Sequence, residues 1–118
     1  MKKIFIALLF CAAPAFAQQP ILVGATLPQS GILADIASEL KKSLLLWQEE
    51  VNAGGGLLGR RVELLLLDDR SEAGVAARLY EQLIGEHKAD LLIGPLGSAA
   101  SAGAAAVAER NRRILINA

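Results

Sequence analysis

The sequence predicts an α/β fold, a parallel doubly wound sheet with its elements in the order βαβαβαβ. Short aliphatic runs alternate with segments of helical periodicity, which calls for parallel strands, right-handed crossovers and helices on both faces. The composition agrees. Of 118 residues, 53% are hydrophobic and only 4% aromatic, an aliphatic balance suited to strands buried under helices.

The first strand is expected at Ile21 to Thr26, where Ile-Leu-Val leads into Gly24 and Ala25 and Pro28 closes the run. A helix follows from about Asp35 to Asn52, because Ile36, Leu40, Leu44, Trp47 and Val51 recur at spacings of three and four while Lys41, Lys42, Glu49 and Glu50 fall largely off that stripe. Gly54 to Gly56 end it, since glycine takes the left-handed conformation past a helix end without a Cβ penalty. Arg61 to Leu67 reads as the second strand, and its consecutive leucines, Leu64 to Leu67, predict burial on both faces. Glu72 to Glu86 is the second helix, striped by Val75, Leu79 and Leu83, with Asp69 and Glu72 spaced as a capping box. Asp90 to Gly94 is the third strand, Ser98 to Arg110 an alanine-rich third helix, and Arg113 to Ile116 the fourth strand. There is no internal repeat or linker, and the helix expected after a fourth strand is missing, so residues 18–118 read as one truncated lobe.

Residues 1–17 stand apart from this pattern. Lys2 and Lys3 precede an uncharged, mostly apolar run, Ile4 to Ala13, and Ala15-Phe16-Ala17 is a small-x-small site. That is the pattern of a secretory signal peptide cut after Ala17. The apolar run is short of the roughly 20 residues that span a bilayer, so no stable membrane insertion is expected after cleavage. Cys11, the single cysteine, leaves with the signal, and the mature chain has no disulfide, thiol nucleophile or thiolate metal site. The expected location is the bacterial periplasm. Without Lys2 and Lys3 the balance is 10 basic to 12 acidic residues, which gives no basic footprint for nucleic acid.

In an open parallel sheet, ligands sit beyond the carboxyl ends of the strands. Four segments occupy that edge: Pro28-Gln29-Ser30-Gly31, Asp68-Asp69-Arg70, Gly94-Pro95-Leu96-Gly97-Ser98 and Asn117-Ala118. They offer hydroxyls, amides, backbone N–H groups and one acidic cluster, which suits holding a small polar molecule better than transforming one. Ser98 sits where an N-cap would. It either caps its own helix or joins the free N–H groups beside it, that of Ala99 included, in meeting a ligand carboxylate. An anion at such a helix start gains about 0.3–1 kcal/mol. Ser30 and Gly31 form a similar turn after the first strand.

Other chemistries lack their residues. Gly54-Gly55-Gly56 follows a helix and enters a strand, the reverse of a phosphate loop, and no GxGxxG follows the first strand. His87, the single histidine, lies at a polar helix end, and Trp47 lies on an apolar stripe. No Ser-His-Asp order or metal-ligand cluster is visible. The expectation is a non-enzyme with no cofactor.

Taken in order, these segments resemble the start of the leucine/isoleucine/valine-binding proteins, the substrate-binding subunits of branched-chain amino acid ABC transporters. The resemblance spans nearly all of residues 21–118. It rests on Ile21-Leu22-Val23-Gly24-Ala25 with Pro28-Gln29-Ser30-Gly31, on Glu50-Val51-Asn52-Ala53-Gly54-Gly55 with Leu58-Gly59-Arg60-Arg61-Val62-Glu63-Leu64, on Asp68-Asp69-Arg70-Ser71, and on Leu92-Ile93-Gly94-Pro95-Leu96-Gly97-Ser98. It implies the N-terminal part of a type I periplasmic-binding-protein fold, in which two lobes close on a solute. It further implies that Ser98 meets the carboxylate of an amino acid, that backbone near Ala118 meets its α-amino and carboxylate groups, and that Ser30 with Leu33 to Ile36 shapes the side-chain pocket. The implied partners are a small solute, amino acid or amide-like, and an inner-membrane ABC permease. A ligand-sensing domain of the same fold is the alternative. The sequence departs from the family where Ser71 and Gly97 replace the cysteines of a disulfide found in its best-known members, where no aromatic stands between Gly31 and Ala37, and where Asn117 replaces a common proline or serine.

Overall fold

A computed structural model describes residues 18–117; the expected signal peptide, with Cys11, and Ala118 lie outside the described residues. The elements are β1 (Ile21–Leu27), α1 (Ala34–Ala53), β2 (Val62–Asp68), α2 (Ala73–Gly85), β3 (Leu91–Ile93), α3 (Ser98–Arg110) and β4 (Leu115–Ile116). All pairings are parallel and the strand order is β2-β1-β3-β4. β1 is the central strand. It pairs with β2 from Ile21↔Val62 to Leu27↔Asp68 and with β3 from Val23↔Leu91 to Ala25↔Ile93.

Alternation along each strand sorts the side chains into two cores. On one face Ile21, Val23 and Val62 pack with Leu64, Leu91 and Ile93 under Trp47 and Val51 of α1. On the other, Leu92 is buried with Tyr80, Leu83 and Ile84 of α2 and Ala104, Val107 and Ala108 of α3, and Leu22, Leu65, Leu67 and Leu115 pack against them. The sheet is therefore doubly wound, with two helices on one face and α1 on the other.

Three sequence expectations shift. The buried stripe of α2 is Ala76, Tyr80, Leu83 and Ile84, with Val75 and Leu79 only half-buried. Small residues let α2 and α3 approach: a Cβ on Gly103 would lie 3.4 Å from that of Ala77. Leu64 to Leu67 are half-buried, because β2 is an edge strand with no further strand beside it. Ile36 and Leu40, on the expected α1 stripe, are 62% and 36% exposed, since α1 covers β1 and β2 and leaves the same face of β3 and β4 bare.

The start of the β2 flank is covered by side chains of α1. Asn52 donates to Val62 O (2.8 Å) and accepts from Val62 N (2.7 Å), and Gln48 Oε1 accepts from Leu64 N (2.6 Å). They pair as a neighbouring strand would and leave those backbone groups satisfied.

The end of α1 is a Schellman turn: Gly56 N bonds Val51 O at 2.8 Å and Gly55 N bonds Asn52 O at 3.2 Å. Gly55 and Gly56 have φ of +101° and +78°. A Cβ at Gly55 meets nothing within 4 Å, whereas one at Gly56 would lie 1.9 Å from Arg60 O. Gly55→Ala is expected to cost only the left-handed penalty of about 1–2 kcal/mol. Gly56→Ala must also open the turn at Arg60 and is expected to exceed it by at least about 1 kcal/mol. Urea midpoints of the two variants measure the difference.

Candidate functional site

Because every strand runs the same way, the loops after β1, β2 and β3 leave one edge of the sheet. The chain turns from β1 to β2 on one side and to β3 on the other, so the switch point lies between the ends of β1 and β3.

The loop after β1 is held by Asp68, at the end of β2. Its Oδ1 accepts from the N–H groups of Gln29 (2.8 Å), Ser30 (3.2 Å) and Arg70 (2.9 Å), and its Oδ2 accepts from Ser30 Oγ (2.8 Å). Desolvation pushes the carboxyl upward, but the bonds from Arg70, Ser30 and Gln29 together outweigh it and hold its pKa below the usual 3.8. Ser71 Oγ adds a second tie, donating to Ser30 O (3.0 Å) and accepting from Leu33 N (3.1 Å). The loops press so closely that a Cβ on Gly31, at φ +86°, would lie 2.6 Å from both Arg70 O and Ser71 Oγ.

Asp69 does not form the capping box. Glu72 is the N-cap of α2 and makes no side-chain cap bond. Asp69 is instead buried, 2% exposed. Its carboxylate accepts from Thr26 Oγ1 (2.8 Å) and Ser71 N (3.0 Å), and its carbonyl accepts from Glu72 N (2.9 Å). The chain turns inward there through Arg70 and Ser71, both at positive φ.

The turn after β3 runs from Gly94 to Gly97. Gly97, at φ +100°, is the N-cap of α3, and Ser98 is the first helical residue, with no side-chain cap bond. Ser98 thus does not cap its own helix. The first N–H to bond back is that of Ser101, to Gly97 O at 2.9 Å, which leaves the N–H groups of Ser98, Ala99 and Ala100 at the open helix start. Ser98 and Ala99 are exposed. Ser101 Oγ lies 3.2 Å from Pro95 O and 3.3 Å from Asn117 Oδ1. The Asn117 side chain rests on Gly94, where an added Cβ would lie 2.1 Å from its Oδ1.

This turn borders a groove of about 820 Å³ along the bare part of the α1 face. Val23, Leu91, Ile93 and Ile116 form its floor, Leu40, Leu44 and Trp47 one wall, and Ser98, Ser101 and Asn117 its polar end. No charged side chain of the described residues lines it, so a ligand charge there would meet backbone dipoles and neutral polar groups. His87 is exposed on the molecule away from this lining.

Of the sequence-expected residues, Ser98 and Ala99 stand together at the open start of α3. Ser30 leaves the same edge but on the β2 side, its hydroxyl donated to Asp68. Ala118 lies outside the described residues. Asn117 falls in one of the four expected edge segments, whereas Ser101 lies outside all of them. Ser101 was accessible to that reasoning, since a residue three beyond Ser98 shares its helix face.

The pattern that defines the periplasmic binding protein family matches residues 20–118. BasB, the substrate-binding protein of a chemotactic signal transduction system from Halobacterium salinarum, is 29% identical over 103 residues, 86% of this chain and 25% of BasB. LivJ from Streptococcus pneumoniae, a branched-chain amino acid transporter substrate-binding protein solved with isoleucine, is similar with a TM-score of 0.79 and 32% identity over 84% of this chain and 28% of its own. An ABC transporter solute-binding protein from R. palustris, solved with benzoate, is similar with a TM-score of 0.75 and 30% identity over 84% of this chain and 27% of its own. The chain spans about a quarter of the length of these relatives.

The lowered pKa of Asp68 has a defined sign. Its stabilising effect is fully present above 3.8 and is lost as pH falls through the lower folded value. Asp68→Asn is expected to lower stability at neutral pH and to flatten the acid limb of the stability profile below about pH 3.8. Urea unfolding of both proteins from pH 7 to pH 2 measures it, and parallel acid limbs would remove Asp68 as the loop's anchor.

Proposed function

The chain belongs to the periplasmic binding protein family, and from that premise we propose that it opens the N-terminal lobe of an ABC transporter substrate-binding protein. After removal of residues 1–17 as a signal peptide, the protein captures a small zwitterionic or amide-like solute in the periplasm, a branched-chain amino acid or a relative of one. It then delivers the solute to an inner-membrane permease. No chemical step is involved.

The observation that carries this reading is the open start of α3. Ser98 has its hydroxyl free of capping, the N–H groups of Ser98, Ala99 and Ala100 lie beside it, and no charged side chain among the described residues lines the groove they border. Such a site favours a carboxylate. The family resemblance assigns further contacts to the α-amino and carboxylate groups near Ala118, and a part of the side-chain wall to the loop from Ser30 to Ile36, which Asp68 pins at Ser30. Isoleucine in LivJ and benzoate in the R. palustris protein are both small carboxylates with an apolar body, the combination that a dipole-lined end and an aliphatic groove accept. A second lobe closes over the solute, excludes water and strengthens the polar contacts. BasB favours a second reading, in which the same capture feeds a chemotactic receptor.

Calorimetry of the full-length protein with L-isoleucine, L-leucine and benzoate tests the proposal. At least one is expected to bind, and Ser98→Ala is expected to weaken it about tenfold, the loss of one hydrogen bond to a charged group. Residues 18–118 alone are expected to bind none of them appreciably. Undiminished binding by Ser98→Ala would place the carboxylate elsewhere.

A further inference from the structure

Tyr80, the single tyrosine, is fully buried in α2. Its ring packs in the core between the sheet, α2 and α3. A phenylalanine would fill that space without bringing a hydroxyl into it. The hydroxyl donates to the carbonyl of Ile93 and lies 3.4 Å from the N–H of Thr26. Ala25↔Ile93 is the last pair of the β1–β3 ladder, so the contact falls where the two strands part and where the turn carrying Ser98 begins.

The bonds continue from there. Thr26 Oγ1 donates to Asp69 Oδ2, Ser71 N to Asp69 Oδ1, and Ser71 Oγ to Ser30 O. One line of bonds, buried at Thr26 and Asp69 and exposed at Ser30, therefore runs from Ile93, under the turn after β3, to the loop after β1. Burial raises the phenol to about 12, so it is protonated and able to donate at neutral pH.

We propose that Tyr80 is a positioning residue for the solute site: its hydroxyl ties the end of β3 to the end of β1 and so fixes the Gly94–Ser98 turn relative to the loop at Ser30. The consequence for affinity rests on the solute-binding reading above; the tie itself does not.

The test uses full-length Tyr80→Phe, which keeps the ring, beside Val62→Ala, which removes buried methyl groups from the opposite core. Amide hydrogen exchange needs no solute. In Tyr80→Phe it is expected to speed up about tenfold, the equivalent of one hydrogen bond, at Thr26, Gly94 and Ser101, with Val62 and Leu64 unchanged. Unchanged rates at Thr26, Gly94 and Ser101, or a uniform increase, overturn the tie. Affinity for L-isoleucine and benzoate, measured well below the melting temperature, is expected to fall several-fold in Tyr80→Phe and to hold in Val62→Ala. Equal effects in the two variants reduce Tyr80 to ordinary packing and overturn its positioning role. A wild type that binds neither probe refutes the proposed solutes, and exchange still decides whether Tyr80 holds the turn.

Discussion

The arrangement depends on β1 being paired on both sides by parallel neighbours. Parallel pairing cannot be made by a hairpin, so each neighbour requires a crossover helix, and the handedness of crossovers then fixes which face each helix takes. Pairing to β2 on one side and to β3 on the other puts α1 on one face and α2 with α3 on the other. It also brings the loops after β1, β2 and β3 to a single edge. The meeting of Ser98, Asp68 and Ser30 at one rim follows from strand order before any side chain is considered.

The two halves of that rim are built differently. The loop after β1 is held by a carboxylate through side-chain and backbone bonds, with Gly31 admitting close contact to Arg70 and Ser71. The turn after β3 is held by its own backbone, by Ser101 and by Asn117, and it leaves its first helical N–H groups open. One half has Ser30, Gln29 and Leu33 paired to Asp68 and Ser71. The other keeps unsatisfied donors, which is the condition for gripping an anion from solution.

Most of the architecture was legible in the sequence because hydrophobic period and glycine punctuation agree along the chain. The third helix has the expected bounds, Ser98–Arg110, and the other elements begin or end within two residues of expectation. What failed has a common cause. Ala76, Ala104 and Ala108 are buried without carrying much hydrophobic signal, so the packed face of α2 lies one residue round from the stripe drawn through Val75 and Leu79. Asp69 has the spacing of a cap but is drawn inward by Thr26, a residue 43 positions away, and no local pattern encodes such a partner. Ser98 looked like a cap because serine favours that position, yet Gly97, at a φ that serine rarely takes, occupies it. The open helix start was therefore recognisable as a place but not as a set of free donors.

The pairing of Asn52 and Gln48 with the outer flank of β2 has a consequence for biogenesis. With Val62 and Leu64 on that flank already paired to α1, the βαβ unit of residues 21–68 leaves its opposite margin, along β1, as the one without side-chain cover of this kind. β3 and β4 join there in the order in which they are synthesised. Strand order is thus compatible with vectorial assembly, β3 docking on β1 and β4 on β3, with no need to pry open a finished pair.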